Sequence, residues 1–191
     1  HFSIAGGDTV ESATAFVSVT LNGFCTSDPL LRSQAKTGDL LAVTGPLGSS
    51  QGGLELLLSK EGPGKSIDKH ASDYLLQAHR RPTPRLTEGR ILVDQGVQAT
   101  MDISDGLMED LAKMMAASGL AALIQAWRLP VHSHLTSAFP NRALAMAFSG
   151  GEDYQLLFAA PPTIMNATLS RLPNATVIGE VVKGPPGHVS V

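Results

Sequence analysis

Gln98-Ala-Thr-Met-Asp-Ile-Ser-Asp-Gly106, continued by Leu107-Met-Glu-Asp-Leu-Ala-Lys-Met-Met-Ala-Ala-Ser-Gly119, sets two carboxylates between a strand pattern and a helix pattern. Leu107, Leu111, Met114 and Met115 recur at i, i+4, i+7 and i+8, the apolar stripe of an amphipathic helix, and Gly119 supplies its stop. Asp102, Ser104 and Asp105 therefore fall in a turn that leaves a strand and enters a helix. Backbone N–H groups gather at a helix start, and ligands of open α/β sheets bind beyond the carboxyl ends of strands. Two acids at such a place can hold Mg²⁺, which takes oxygen ligands and keeps several waters. They can equally be a plain helix cap with a solvated second acid. An EF-hand is excluded, because Leu107 and Lys113 stand where that loop needs Gly and Glu.

Upstream, residues 86–95 suggest a helix feeding this strand, and residues 67–79 another, with Tyr74, Leu75 and Ala78 inward. Between them the basic run His79-Arg-Arg-Pro-Thr-Pro-Arg85 is stiffened by Pro82 and Pro84. It is either a phosphate contact or a solvated connector. Residues 40–45 form a continuous apolar run suited to a buried strand, then Pro46 to Gly53 reads as a loop of small residues before a helix over 54–60. That loop lacks the Gly-Lys-Ser/Thr ending of a P-loop. The cluster at residues 61–65 breaks the chain. Residues 13–22 alternate apolar and polar, a strand with one buried face, preceded by the glycine turn Ala5-Gly-Gly-Asp-Thr9.

Downstream, residues 121–126 suggest a strand and 129–135 a loop, in which His132 and His134 lack the further ligands a zinc site needs. Residues 141–148 are apolar, helix or strand, with Leu144 and Phe148 on one helical face. They run into Ser149-Gly-Gly-Glu-Asp-Tyr154, where paired glycines precede paired acids, and then a strand over 155–158. A helix over 163–172, a strand over 175–182 and a loop over 183–187 complete the chain.

The 191 residues bound one ordinary domain, or one domain with part of another. Hydrophobic residues make up 43%, enough for a core, while charged residues are only 16%, below the roughly 25% usual for soluble domains. Net charge −3 and a pI near 6.0 give no electrostatic reason to expect nucleic acid or an anionic membrane. The single cysteine, Cys25, excludes an internal disulfide and fits a reducing, cytoplasmic compartment. No apolar run approaches the roughly 20 residues of a membrane span. Asn-x-Thr occurs at Asn166 and Asn174, read as chance in the absence of a secretion pattern.

Four features occur in order: Gly6-Gly7-Asp8-Thr9, Arg32-Ser-Gln-Ala-Lys36 before Gly38-Asp39, Asp102-Ile-Ser-Asp-Gly106, and Ser149-Gly-Gly-Glu-Asp-Tyr154. Together they resemble the thiamine-monophosphate kinases, in the superfamily of aminoimidazole ribonucleotide synthetase. The resemblance covers nearly the whole chain. Val10, where a second Thr is common, and Gln155, in place of a frequent Glu, depart from the pattern.

The resemblance implies a three-layer α/β/α sandwich with a mixed sheet over residues 25–191, the C-terminal domain of that superfamily. Residues 1–24 would be the last strand of an N-terminal ATP-binding and dimerisation domain otherwise absent from this chain. It implies a transferase that phosphorylates thiamine phosphate to thiamine diphosphate with ATP and Mg²⁺, a homodimer when full length, and a fragment inactive alone. Carried over, Asp8, Asp102 and Asp105 would be Mg²⁺ ligands; Gly7, Asp8, Arg32 and Ser104 would contact ATP; Glu152 would contact the thiamine substrate. The alternatives are another ATP-dependent member of the superfamily, such as a purine-pathway synthetase, or a non-catalytic isolated domain. A strand over 13–22 without neighbours should lie against its own domain, exchange with another chain or be disordered.

Overall fold

The computed structural model describes residues 3–25, 28–59 and 67–191. Its sheet is built from β1 (Leu40–Val43), β2 (Ala99–Asp102), β3 (Ala121–Ile124), β4 (Leu156–Ala160), β5 (Thr176–Val182) and β6 (Val189–Ser190). The strand order is β2-β4-β1-β5-β3-β6, antiparallel throughout except for the parallel β3–β6 pair. The helices are α1 (Ser49–Leu58), α2 (Lys69–Arg80), α3 (Leu86–Asp94), α4 (Leu107–Ser118), α5 (Ser133–Ala138), α6 (Ala143–Ser149) and α7 (Pro162–Arg171), with a 3₁₀ turn at Ala126–Arg128.

Strand alternation assigns the two faces. Leu41, Val43, Leu157 and Ala159 pack with Leu107, Leu111, Met114 and Met115 of α4, while Ala42, Phe158 and Ala160 pack with Leu92, Met165 and Leu172 on the side of α3 and α7. The four α4 side chains read from the sequence as an apolar stripe are fully buried. Each contributes about 1.5–3 kcal/mol by leaving water. Gly119 ends α4 at φ 70°, the left-handed cap expected of it. A third cluster, Leu56, Leu75, Leu135, Ala143 and Met146, joins α1, α2, α5 and α6 outside the α4 layer. The expected α/β/α sandwich on a mixed sheet is thus present.

Several boundaries differ from the sequence reading. α1 starts at Ser49 and runs through Gly52 and Gly53, which the sequence suggests as loop. Contact overrides propensity here: a Cβ on Gly53 would sit 2.1 Å from the Leu75 carbonyl oxygen of α2, so glycine permits the two backbones to touch. α5 forms where a loop is expected, and β6 extends the sheet after the 183–187 loop. In α6 the buried residues are Ala143, Met146 and Ala147, whereas Leu144 faces water. Residues 13–22 form no strand: none of the described strands pairs with them, and Phe16, Val17, Val19 and Leu21 are exposed. The breaker cluster at 61–65 lies outside the described residues. Among the described residues no helix is long and apolar enough to cross a membrane.

Candidate active site

β2 ends at Asp102 and α4 begins at Leu107, so the acidic turn sits where the sequence puts it. What shapes the turn is a residue on the helix itself. Asp110 is 1% exposed, and its Oδ2 accepts the backbone N–H groups of Ser104 (2.9 Å), Asp105 (2.9 Å) and Gly106 (3.2 Å). These are charge-assisted bonds to donors that otherwise would be orphaned at the helix start. Lys113, one turn on, contacts Asp105 and lies 3.1 Å from both Glu109 and Asp110. Those carboxylates hold its ammonium above the usual lysine range, the hydrogen bond to Asp105 first among them.

The second acidic motif packs directly against the first. Glu152 N–H donates to the Ser104 carbonyl at 2.8 Å, Tyr154 N–H to the Ile103 carbonyl at 2.9 Å, and Ile103 N–H to the Gln155 carbonyl at 2.8 Å. The approach needs glycine: a Cβ on Gly151 would lie 2.6 Å from the Ser104 carbonyl oxygen, and one on Gly106 (φ 115°) would lie 2.8 Å from that of Ser149. Glu152 (φ 63°) and Tyr154 (φ 49°) are left-handed. For residues with a side chain this costs about 1–2 kcal/mol each, and strain of this kind concentrates at functional sites. The Glu152 carboxylate is more than half exposed and lies 3.8 Å from His79 Nδ1, which shares a 2.9 Å hydrogen bond with Ser50 Oγ.

Asp153 points the other way. Its two oxygens accept Gly48 N–H (2.5 Å) and Ser50 N–H (3.0 Å) at the start of α1. Burial raises its pKa to about 6, with the backbone donors pulling back against that rise. Gln155 is buried and accepts the Thr44 hydroxyl at 2.9 Å, while that hydroxyl accepts Leu156 N–H at 2.9 Å, tying β4 to β1.

Asp102, Ser104, Asp105 and Glu152 are therefore brought together, the first three in one turn and the fourth hydrogen-bonded across it. Asp102, Asp105 and Glu152 are exposed. Gly7, Asp8 and Arg32 are not joined to them. Gly7 and Asp8 lie in the exposed 3–25 segment, where Asp8 Oδ1 accepts the neighbouring Thr9 N–H at 2.8 Å. Arg32 follows the parallel bridge from Leu31 to Ala99, and its carbonyl accepts Ser118 Oγ at 3.3 Å. That contact is at the far end of the 12-residue α4, about 18 Å along its axis from the acidic turn. Among the described residues no group of three or more His, Cys, Asp or Glu could hold a metal ion. His132 stacks on Tyr74 instead, its ring 4.0 Å away, and His134 packs tilted against the same ring at 5.2 Å.

The sequence reading gave Asp110 and Lys113 no role and noted Asp153 only as one of the paired acids before a strand. One signal was available. Asp110 stands three residues after Leu107 and four before Met114, an acid on an apolar stripe, which calls for a buried partner.

Residues 36–191 match the family described as AIR synthase related protein, C-terminal domain. The chain is 39% identical over 158 residues to the thiamine-monophosphate kinase of Bacillus subtilis, across 82% of this chain and 48% of that protein. The crystal structure of thiamine-monophosphate kinase from Stenotrophomonas maltophilia K279a superposes with a TM-score of 0.74 at 32% identity, over 84% of this chain and 52% of that one. AaThiL complexed with AMPPCP and TMP superposes with a TM-score of 0.73 at 35% identity, over 84% of this chain and 49% of that one. The chain spans about half the length of the curated relatives it matches. With the six-stranded mixed sheet and the paired acidic loops, the match over residues 36–191 makes this chain a member of the AIR synthase related protein family, carrying its C-terminal domain.

Proposed function

We propose that this chain is the C-terminal part of a thiamine-monophosphate kinase, which transfers the terminal phosphoryl group of ATP to thiamine phosphate. The observation that carries the reading is the hydrogen-bonded junction of Asp102-Ile-Ser-Asp-Gly106 with Gly150-Gly-Glu-Asp-Tyr154. It sets two exposed carboxylates and a hydroxyl at a helix start, beside a strained glutamate. Similar proteins named thiamine-monophosphate kinase, one of them complexed with AMPPCP and TMP, supply the substrates.

Asp102 and Asp105 offer only oxygen donors, which fits Mg²⁺ held by one or two carboxylates together with substrate phosphates. Bound there, Mg²⁺ would neutralise charge between the two anionic substrates. The chain's own residues do the positioning. Asp110 fixes the turn through three N–H groups, Lys113 balances the carboxylates, and Ser104 presents its hydroxyl toward the nucleotide. Glu152, held left-handed on the facing loop, takes the thiamine moiety. No general base is needed, since the acceptor phosphate is already an anion. Asp8 and Gly7 would add ATP and metal contacts from the N-terminal side, and Arg32, at the far end of α4, would reach only a part of the nucleotide remote from the metal. Residues 1–24 belong in this reading to an N-terminal domain that also forms a homodimer, and the exposed Phe16, Val17, Val19 and Leu21 are what such a domain would cover. The setting is cytoplasmic.

The test is Asp102→Asn in the protein with its N-terminal domain, assayed for thiamine diphosphate formation. Activity should fall by about a hundredfold or more, as for loss of a charge-stabilising group, and excess Mg²⁺ should not restore it. Full activity removes the metal-ligand role.

A further inference from the structure

We propose that a cavity of about 210 Å³, closed by the basic run 81–85 on one side and the start of α1 on the other, is a phosphate-binding subsite. The proposal is independent of the kinase reading and uses no metal. Ser49 and Arg85 both line this cavity. Ser49 is 5% exposed, and its hydroxyl has no hydrogen-bond partner; the Arg85 Nε is likewise buried and unpartnered. Native proteins rarely leave such groups unpaired, and each one is a donor that an oxyanion would satisfy.

Charge points the same way. Arg81 lines the same cavity as Arg85, and its guanidinium is unpaired among the described residues. The acids present are already engaged. Glu88 pairs with Arg85 through one terminal nitrogen at 3.2 Å, leaving Nε available. Asp153 spends both oxygens on the backbone N–H groups of Gly48 and Ser50. A tetrahedral oxyanion matches a guanidinium fork and a hydroxyl better than a neutral ligand does. The phosphate is either free or carried as a monoester.

The test titrates the 191-residue chain in EDTA, without nucleotide, with inorganic phosphate and separately with phenyl phosphate, following ³¹P line broadening. Saturable binding of inorganic phosphate is expected, weakened about tenfold by Arg81→Met, the loss of one charge-assisted bond. Ser49→Ala should weaken binding while leaving the melting temperature equal or higher, since it deletes an unpaired buried hydroxyl. A purely structural Ser49 would not show that split. Binding of phenyl phosphate identifies a monoester site, and its exclusion identifies free phosphate. Absence of saturable binding, or binding unchanged in both variants, overturns the proposal.

Discussion

Asp110→Asn should destabilise the chain by about 3 kcal/mol without altering its fold. The carboxylate accepts three backbone N–H groups at 2.9, 2.9 and 3.2 Å. A neutral hydrogen bond contributes about 1 kcal/mol, and a charge-assisted one about twice that. An amide oxygen in the same place keeps the three bonds but forfeits about 1 kcal/mol on each. The Lys113 contact adds little, because that side chain is 34% exposed and the attraction is screened. Asp110→Ala, which leaves the donors unpaired, should cost more. Urea denaturation of the three proteins measures the differences, and hydrogen exchange at the Ser104, Asp105 and Gly106 amides localises them. An Asp110→Asn variant within about 0.5 kcal/mol of wild type, with those amides still protected, would refute the account of how the turn is held.

Gly53→Ala should destabilise by about 3 kcal/mol or more although alanine favours helix by about 1 kcal/mol, because the new methyl meets the Leu75 carbonyl oxygen at 2.1 Å; an unchanged melting temperature would contradict this. Glu152→Gly should raise stability by up to about 1 kcal/mol by releasing the φ 63° strain, while weakening binding of the thiamine substrate in the full-length protein. Asp153 makes stability depend on pH in a defined direction. Its folded pKa of about 6 lies above the 3.8 of the unfolded chain, so the folded form binds the extra proton. Its contribution is full below pH 3.8 and is lost as pH rises through 6, a slope of about 1.4 kcal/mol per pH unit between them. Asp153→Asn should remove that slope from the difference between the two denaturation series, and an identical pH dependence in both would rule it out.

The strand, turn and helix around Asp102 were legible because each rests on local chemistry: a period of 3.6 from Leu107 to Met115, a glycine at position 119 that tolerates φ 70°, and acids at a helix start. The same holds for α2, α3, α7, β1 and β5, whose apolar patterns bury the faces they display. The two acidic motifs were also visible separately. Their union was not, because Gly151 N-terminal to Glu152 approaches Ser104 through backbone atoms that carry no side-chain signal.

Contacts between distant segments settled the remainder. Gly52 and Gly53 look like loop residues, and only the α2 backbone beside them makes a helix the better state. Residues 13–22 have a strand's alternation, yet a strand exists only when another edge pairs with it, and none of the described strands does. Arg32 and Ser104 fall in one motif series along the sequence, while α4 holds them at its two ends. The sequence by itself determined which residues could carry charge at the end of β2 and which apolar faces had to be buried. Tertiary structure alone decided that Asp110 would hold the turn and that Asp153 would cap α1, because a buried carboxylate goes wherever folding leaves N–H groups without partners.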